Sequence, residues 1–377
     1  SGTIATIAAS GSNLVFTHSD TNNSWDGFGT SGTFVVGQTY TIDTTIVSAT
    51  NINVLRITDS AGQHDADIAT TINSAGTHSY TFTATATTMY FHWNGYYTTS
   101  AITLSKFSVR LAEQDRSVNG NGLQVFGTVT KTAVATGADL VGYSGFSSSN
   151  YLQQPYNSGL DFGTGDFCIT FWAKILSSGD CSFLHLAPDL TSSSPASGIH
   201  VWTYGGYFKA NAGGAQLTSQ NANSPFPAGS GAVFNHVVLG RTGGKGFYYL
   251  NGLKQVTNEN NTGSIGSTSN SLYVGEGYYG NTDSNLALLR ISTTAPTAEQ
   301  IAKMYRDEKP LFQENAQATL YGTSDAVTAL AYDDDTELLH VGTSAGRSVF
   351  QGLRRVDNTT DAVGAAISAS NGLVAED

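Results

Sequence analysis

Four short stretches of this 377-residue chain set Trp or Tyr among Asn, Asp, Ser, Thr and Gly. Trp25 and Asp26 lie in Asn22-Asn23-Ser24-Trp25-Asp26-Gly27-Phe28. Tyr96 and Tyr97 follow Asn94-Gly95. Trp202, Tyr204 and Tyr207 share Trp202-Thr203-Tyr204-Gly205-Gly206-Tyr207. Tyr278 and Tyr279 sit in Gly277-Tyr278-Tyr279-Gly280-Asn281. An exposed ring offers a flat apolar face, and neighbouring carboxamides and carboxylates can read hydroxyls. Sugars ask for that combination. The competing reading is that the rings pack on their own loops or on a neighbouring subunit.

Catalytic patterns are missing. There is no His-Glu-x-x-His, no Gly-x-Ser-x-Gly and no phosphate loop. Glu259, Glu276 and Glu299 stand isolated in sequence, and the eight His residues are scattered. The glycine-rich stretch 240–246 joins two strand-like runs with no following helix, so it reads as a hairpin. Asp333, Asp334 and Asp335 read as a solvated turn.

The elements that must carry these loops are short strands between Gly, Ser, Thr and Asn turns, the pattern of sandwiches and barrels. Tyr40, Ile42, Thr44 and Ile46 alternate with polar residues. Met89, Phe91 and Trp93 share a face, which makes Trp93 a core residue, whereas Trp25 and Trp202 read as exposed. Ile102 and Leu104 are out of phase with Phe107, Val109 and Leu111, so a bulge is expected near 105–106. Phe167, Ile169, Phe171, Ala173 and Ile175 alternate as a core-facing strand, and Asn251-Gly252 marks a tight hairpin. One helix is expected: Thr297 and Gln300 form a capping box, Ile301, Met304 and Tyr305 line one face, and Pro310 stops it. It should pack at the rim of the second sandwich. Beyond it, 326–332, 337–342 and 347–356 read as a three-stranded meander, followed by a frayed tail or short helix.

Composition agrees with an all-β reading and bounds the function. Lys plus Arg is 17 against 29 Asp plus Glu, a net charge of −12, and only 12% of residues are charged. So acidic a chain is a poor nucleic-acid ligand. No apolar run is long enough for a membrane-spanning helix, so no membrane insertion is expected. Aromatics at 11% argue against a disordered chain. Cys168 and Cys181 read as two buried thiols, with a single bridge as the alternative. The chain starts at Ser1 with no leader pattern, which reads as a fragment or a processed product.

Three segments are expected: 1–112, 113–309 and 310–377. The middle one resembles the laminin-G-like, concanavalin A-like jelly rolls. The resemblance is carried by Gly163-Thr164-Gly165-Asp166-Phe167-Cys168-Ile169-Thr170-Phe171-Trp172, by Phe234-Asn235-His236-Val237-Val238, by Phe247-Tyr248-Tyr249-Leu250-Asn251-Gly252, by Leu272-Tyr273-Val274-Gly275 and by Leu288-Leu289-Arg290-Ile291 before the helix. It implies two tandem jelly-roll sandwiches with a small C-terminal β-meander, once 1–112 is added. That first segment is similar to carbohydrate-binding modules in Val36-Gly37-Gln38-Thr39-Tyr40-Thr41 and Gly76-Thr77-His78-Ser79-Tyr80-Thr81-Phe82. Concanavalin A-like glucanases carry Glu-x-Asp-x-x-Glu, two carboxylates about 5–5.5 Å apart across a cleft. This chain has no such run, so no enzyme is expected, and His236 is expected to pack rather than act as a base. Laminin-G-like domains often hold calcium, for which Asp161, Asp166, Asn281 and Asp283 are the candidates.

The whole arrangement resembles virion proteins of marine tailed bacteriophages. That resemblance implies a fibre or surface appendage, on the virion or otherwise extracellular, that attaches to bacterial surface polysaccharide alongside other virion proteins. The alternative is a purely structural subunit without a ligand. The apolar residues Val327, Leu330, Leu338, Leu339, Val341, Val349 and Phe350 exceed what three short strands can hide. A homo-oligomer, a trimer closed through 311–377, is therefore expected.

Overall fold

The computed structural model describes residues 6–10, 13–18, 27–59, 68–70, 72–95, 100–176, 180–218, 226–229, 232–255, 260–280, 284–317, 319–324, 326–352 and 354–377. Strands dominate. The first nine are β1 (Thr6–Ser10), β2 (Asn13–His18), β3 (Gly27–Thr33), β4 (Thr39–Thr50), β5 (Ile52–Thr58), β6 (Ile68–Thr70), β7 (Gly76–Thr83), β8 (Thr88–Gly95) and β9 (Ser100–Glu113). A four-stranded sheet, β3-β8-β5-β6, faces β1-β2-β9 with β4 and β7. The period-two positions fill the space between them: Ile42, Ile46, Met89, Phe91, Trp93, Ile102 and Leu104 are buried. The phase slip in β9 is a bulge, because Thr45 pairs with Lys106 but Ile46 pairs with Leu104, leaving Ser105 without a partner position.

The second group is β10 (Leu123–Phe126), β11 (Thr130–Ala133), β12 (Val141–Ser144), β13 (Tyr151–Gln154), β14 (Phe167–Ile175), β15 (Cys181–Ala187), β16 (Ile199–Tyr204), β17 (Tyr207–Ala212), β18 (Ala215–Gln216), β19 (Asn235–Thr242), β20 (Lys245–Leu250), β21 (Leu253–Lys254), β22 (Ser271–Val274) and β23 (Ser284–Ser292). A seven-stranded sheet, β11-β12-β23-β14-β19-β20-β21, packs on β10-β13-β22-β15-β16-β17-β18. Phe167, Ile169, Phe171, Ala173 and Ile175 point into that core as their alternation requires. The second sheet does not stop at its own sandwich. Leu123 pairs with Glu113 and Gln124 with Ala112, so one twelve-stranded sheet runs through both.

Helix α1 (Ala298–Glu308) has the expected capping box between Thr297 and Gln300 and gives way to a 3-10 turn at Lys309–Phe312. It covers the outer face of the seven-stranded sheet rather than its rim. Ile301 packs with Cys168, Val238 and Phe247, and Tyr305 stacks on Trp172. The rim position fails because the outer face of β14 and β19 is itself apolar and needs a cover. Cys168 lies under this helix and Cys181 in the main core, and the two do not form a disulfide.

The C-terminal part differs from expectation. It has four paired strands, β24 (Val327–Asp333), β25 (Leu338–Thr343), β26 (Gly346–Gln351) and β27 (Arg354–Asn358), followed by a hairpin, β28 (Ile367–Ser370) and β29 (Leu373–Glu376). The tail is therefore strand, neither frayed nor helical. A break at Gly352 (φ 60°) splits the third expected strand into two. Nor is the 333–335 turn solvated throughout. Asp333 is buried, one carboxylate oxygen accepting the Asp335 N–H and the other the Gly372 N–H at 2.7 Å. It staples the final hairpin onto the meander, and those hydrogen bonds, the one from Gly372 first, hold its pKa below the usual carboxylate range.

Candidate functional site

Alternation along β15, β16 and β17 sends Leu184, Leu186, Ile199, Val201, Phe208 and Ala210 into the core. The opposite side chains stand on the outer face of the sheet. His185 lies across from His200, Ser182 from Trp202, and Tyr204 from Tyr207. A bulge between Ser182 and Leu184 resets the phase of β15 so that Ser182 and His185 share this face.

The rings form a column. His185 and His200 stack at 4.4 Å between centroids, His200 and Trp202 at 4.3 Å and only 13° apart. Tyr279 continues it, 5.9 Å from Trp202 and 5.3 Å from Tyr204, with Tyr278 edge-on to it at 4.9 Å. Two of the four aromatic stretches, more than seventy residues apart in sequence, thus meet at one place. The column is closed below and open above. His185 and His200 are fully buried and Trp202 is 5% exposed, whereas Tyr204 is 52% and Tyr278 47% exposed.

Hydrogen bonds fix this base. The Ser193 carbonyl can only accept, so His200 carries its proton on Nδ1 and donates to it at 3.1 Å. His200 Nε2 then accepts from the Ser182 hydroxyl at 3.0 Å, and Ser182 Oγ accepts the Tyr279 N–H at 3.2 Å. Asn211 Nδ2 also donates to Ser193 O. Asp180 Oδ1 accepts the Gly205 N–H at 2.9 Å and holds the turn between Tyr204 and Tyr207. Gly277 must be glycine, because a Cβ there would stand 2.6 Å from Ser182 Cβ. Burial, then the charge of His185, lowers the His200 pKa to about 3, and burial lowers that of His185 to about 4. Both are neutral at pH 7.

The expectation for Trp202 is corrected by this geometry. It is a strand residue under the platform, not an exposed loop residue, because period two on β16 puts it between His200 and Tyr204. Tyr204, Tyr207, Tyr278 and Tyr279 lie around it. Trp25, Asp26, Tyr96, Tyr97, Asn281 and Asp283 fall outside the described residues. Ser182, His185 and His200 were missed in the sequence, although the alternation of Ile199-His200-Val201-Trp202 places both rings on one face.

Asp161 and Asp166 are engaged elsewhere. Asp161 Oδ2 accepts from Tyr156 Oη at 2.7 Å, and Asp166 accepts from the Gly243 N–H and the Thr242 hydroxyl. Among the described residues, the grouping of three or more His, Cys, Asp or Glu close enough to share an ion is Asp333–Asp334–Asp335. The other two calcium candidates, Asn281 and Asp283, lie outside the described residues.

The Ser182–His200 pair has the contacts of a nucleophile and base, but both groups are sealed beneath Trp202 and the 276–280 turn, and Ser182 Oγ already holds Tyr279 N. His236 packs beside the Trp172–Tyr305 stack, 5.0 Å from one ring and 6.2 Å from the other. A cavity of about 530 Å³ lies apart from the column, between α1 and β23. The charged residues lining it are already engaged, Arg290 with Glu308 and Lys303 with Asp307.

Residues 146–302 match the family model of the concanavalin A-like lectin/glucanases superfamily. Over those residues the second sandwich is similar to that superfamily. The ring column stands on this domain, on the outer face of its long sheet. No curated protein matches the chain by sequence. Among solved structures, the binding domain of Paraclostridial mosquitocidal protein 1 is similar with a TM-score of 0.41 and 13% identity, over 62% of each chain. Trypanosoma rangeli sialidase in complex with the inhibitor DANA aligns with a TM-score of 0.37 and 13% identity, over 52% of this chain and 33% of that one. The binding domain of botulinum neurotoxin DC in complex with rat synaptotagmin II aligns at 0.38 and 14%, over 66% and 60%. In each case the match spans less than two thirds of the other chain. Among the described residues, no helix is long and apolar enough to cross a membrane.

Proposed function

We propose that this chain is a non-enzymatic glycan-binding protein whose concanavalin A-like domain takes a sugar on Tyr204 and Tyr278. The carrying observation is two half-exposed tyrosines held over a buried Trp202–His200 base. A rigid aromatic surface loses little side-chain entropy on binding, which is what stacking on a pyranose face requires. The match to a lectin and glucanase superfamily supports the class of ligand. A glycan array with the purified chain tests it: a hit that disappears in Tyr204→Ala supports the reading, and an array without hits opposes it. A cleavage assay on bacterial surface polysaccharide tests the non-enzymatic part.

The finer reading places the protein on a virion or otherwise outside the cell, as a fibre or appendage subunit attaching to bacterial surface polysaccharide. It assembles in that reading as a homo-oligomer, a trimer, through residues 311–377. What supports assembly is apolar surface on the edge strand β24, where Leu330 is 60% and Tyr332 58% exposed. Light scattering on the full chain and on a chain ending at Pro310 decides it. A full-length monomer sinks the assembly, and an oligomer that survives truncation moves the contact to the sandwiches.

A further inference from the structure

The continuity of the long sheet brings a second set of rings together, on the far side of His185 from the Tyr204–Tyr278 platform; Tyr273 is the register partner of His185. Phe126 on β10 and Tyr151 on β13 are register partners and stack at 4.7 Å, 7° from parallel. Tyr273 on β22 follows at 6.0 Å from Tyr151. At the other end, the guanidinium carbon of Arg110, on β9, lies 4.3 Å from the centre of the Phe126 ring. The ladder therefore starts on the first sandwich and runs onto the second. Adjacent strands are about 4.8 Å apart, so the three steps from β9 to β22 span about 14 Å. All three rings are partly exposed, and Arg110 is exposed.

Among the described residues, Arg110 belongs, with Lys174 and Lys309, to the cations that lie over a ring and have no carboxylate partner. Lys106, Lys131, Arg290, Lys303 and Arg347 each pair with a carboxylate, and Arg241 is buried among carbonyls. Among the described residues Arg110 has neither ion pair nor hydrogen bond; its contact is the Phe126 ring. The ring contact leaves the side chain exposed, where a guanidinium can make two parallel bonds to a carboxylate. Among the described residues, no Asp or Glu makes an ion pair with it.

The ladder crosses from the first sandwich to the second along the shared sheet. Asp43 belongs to β4, yet its charge reaches Tyr273, whose phenol is raised chiefly by burial and then by Tyr151, Asp189 and Asp43. Lys106 neutralises Asp43. Gln124 is buried and donates to the Thr41 carbonyl at 3.2 Å, joining β10 to β4.

We propose that Arg110, Phe126, Tyr151 and Tyr273 form a second binding site, shared by both sandwiches, for a carboxylate-bearing pyranose such as a unit of an acidic polysaccharide. The rings take the sugar faces and Arg110 takes the carboxylate. No residue of the Tyr204–Tyr278 platform is used, so the two sites fail separately.

The test is affinity electrophoresis of the full chain in gels containing polygalacturonate, alginate or polysialic acid. At least one of these should retard the wild type, with retardation falling as salt rises. Arg110→Gln and Tyr151→Ala should each weaken that binding about tenfold or more, since a charge-assisted bidentate contact or a stacked ring is lost. Tyr204→Ala should leave it unchanged. The proposal is overturned if none of the three polymers retards the wild type, or if Arg110→Gln binds as the wild type does. Loss in Tyr204→Ala with retention in Arg110→Gln would also overturn it, by placing the acidic ligand on the other platform. Unchanged thermal denaturation of Arg110→Gln, an exposed position, shows that any loss is not unfolding.

Discussion

Ser182 Oγ lies 3.0 Å from His200 Nε2 while accepting the backbone N–H of Tyr279. One buried hydroxyl thus ties the ring column on β16 to the turn that carries Tyr278 and Tyr279. Ser182→Ala leaves a buried imidazole nitrogen and a peptide N–H without their partner. The expected cost is about 1–3 kcal/mol, seen in urea denaturation, together with weaker glycan binding. A variant as stable as the wild type would mean the hydroxyl is not what joins them.

Trp202 and Tyr204 are two residues apart and should behave in opposite ways. Trp202→Ala removes a buried ring and is expected to cost about 3–5 kcal/mol. Tyr204→Ala removes an exposed one and should change stability by less than about 0.5 kcal/mol. Thermal denaturation of both separates the base from the platform.

That contrast also shows what was legible in the sequence. The alternation in β4, β8 and β14, the bulge in β9, the capping box of α1 and the Asn251-Gly252 turn all follow from local rules, and the structure has each of them. Period two on β16 was legible as well, but it was overridden by the polar, glycine-rich look of 202–207. What no local rule carries is the meeting of distant segments: Tyr279 over Trp202, α1 across the outer face of β14, and the pairing of β9 with β10 that fuses two sandwiches into one sheet. The C-terminal hairpin is not legible in the sequence, because Ala- and Ser-rich strands such as β28 have little apolar signal. Their order comes from Asp333, which reaches Gly372 across the fold.

Acid should weaken the fold through its buried histidines. Burial lowers the pKa of His185 to about 4, of His200 to about 3 and of His236 to about 4, against an ordinary 6.5. Below pH 6.5 the unfolded chain takes up protons that the folded chain refuses until about pH 4. Their contribution is therefore complete above 6.5 and lost as pH falls through that window, at up to about 1.4 kcal/mol per pH unit for each histidine. Tm should fall between pH 7 and pH 5, and His185→Phe, which keeps the stack, should flatten the fall. A Tm independent of pH over that range would contradict the neutral, buried state of these rings.

Arg241 is fully buried, feels the charge of Asp166, and donates to the carbonyls of Gly163, Gly165 and Gly263 and to Asn261. It ties the 163–165 and 261–263 loops to β19. Arg241→Met keeps most of the volume but strands those acceptors, at an expected cost of about 3 kcal/mol. Urea denaturation checks this, and a loss under about 0.5 kcal/mol would show that water replaces the guanidinium without penalty.

The most direct measurement for the glycan-binding reading is calorimetric titration of the best array ligand into the wild type and into Tyr204→Ala/Tyr278→Ala. The double variant removes the two exposed rings and leaves Trp202, His200 and Ser182 in place. Base–aromatic and sugar–aromatic stacking share the same origin in an apolar ring face, and the loss of two such contacts is expected to lower affinity about a hundredfold, with the Tm unchanged. Equal affinities in the two proteins would contradict a glycan site on Tyr204 and Tyr278.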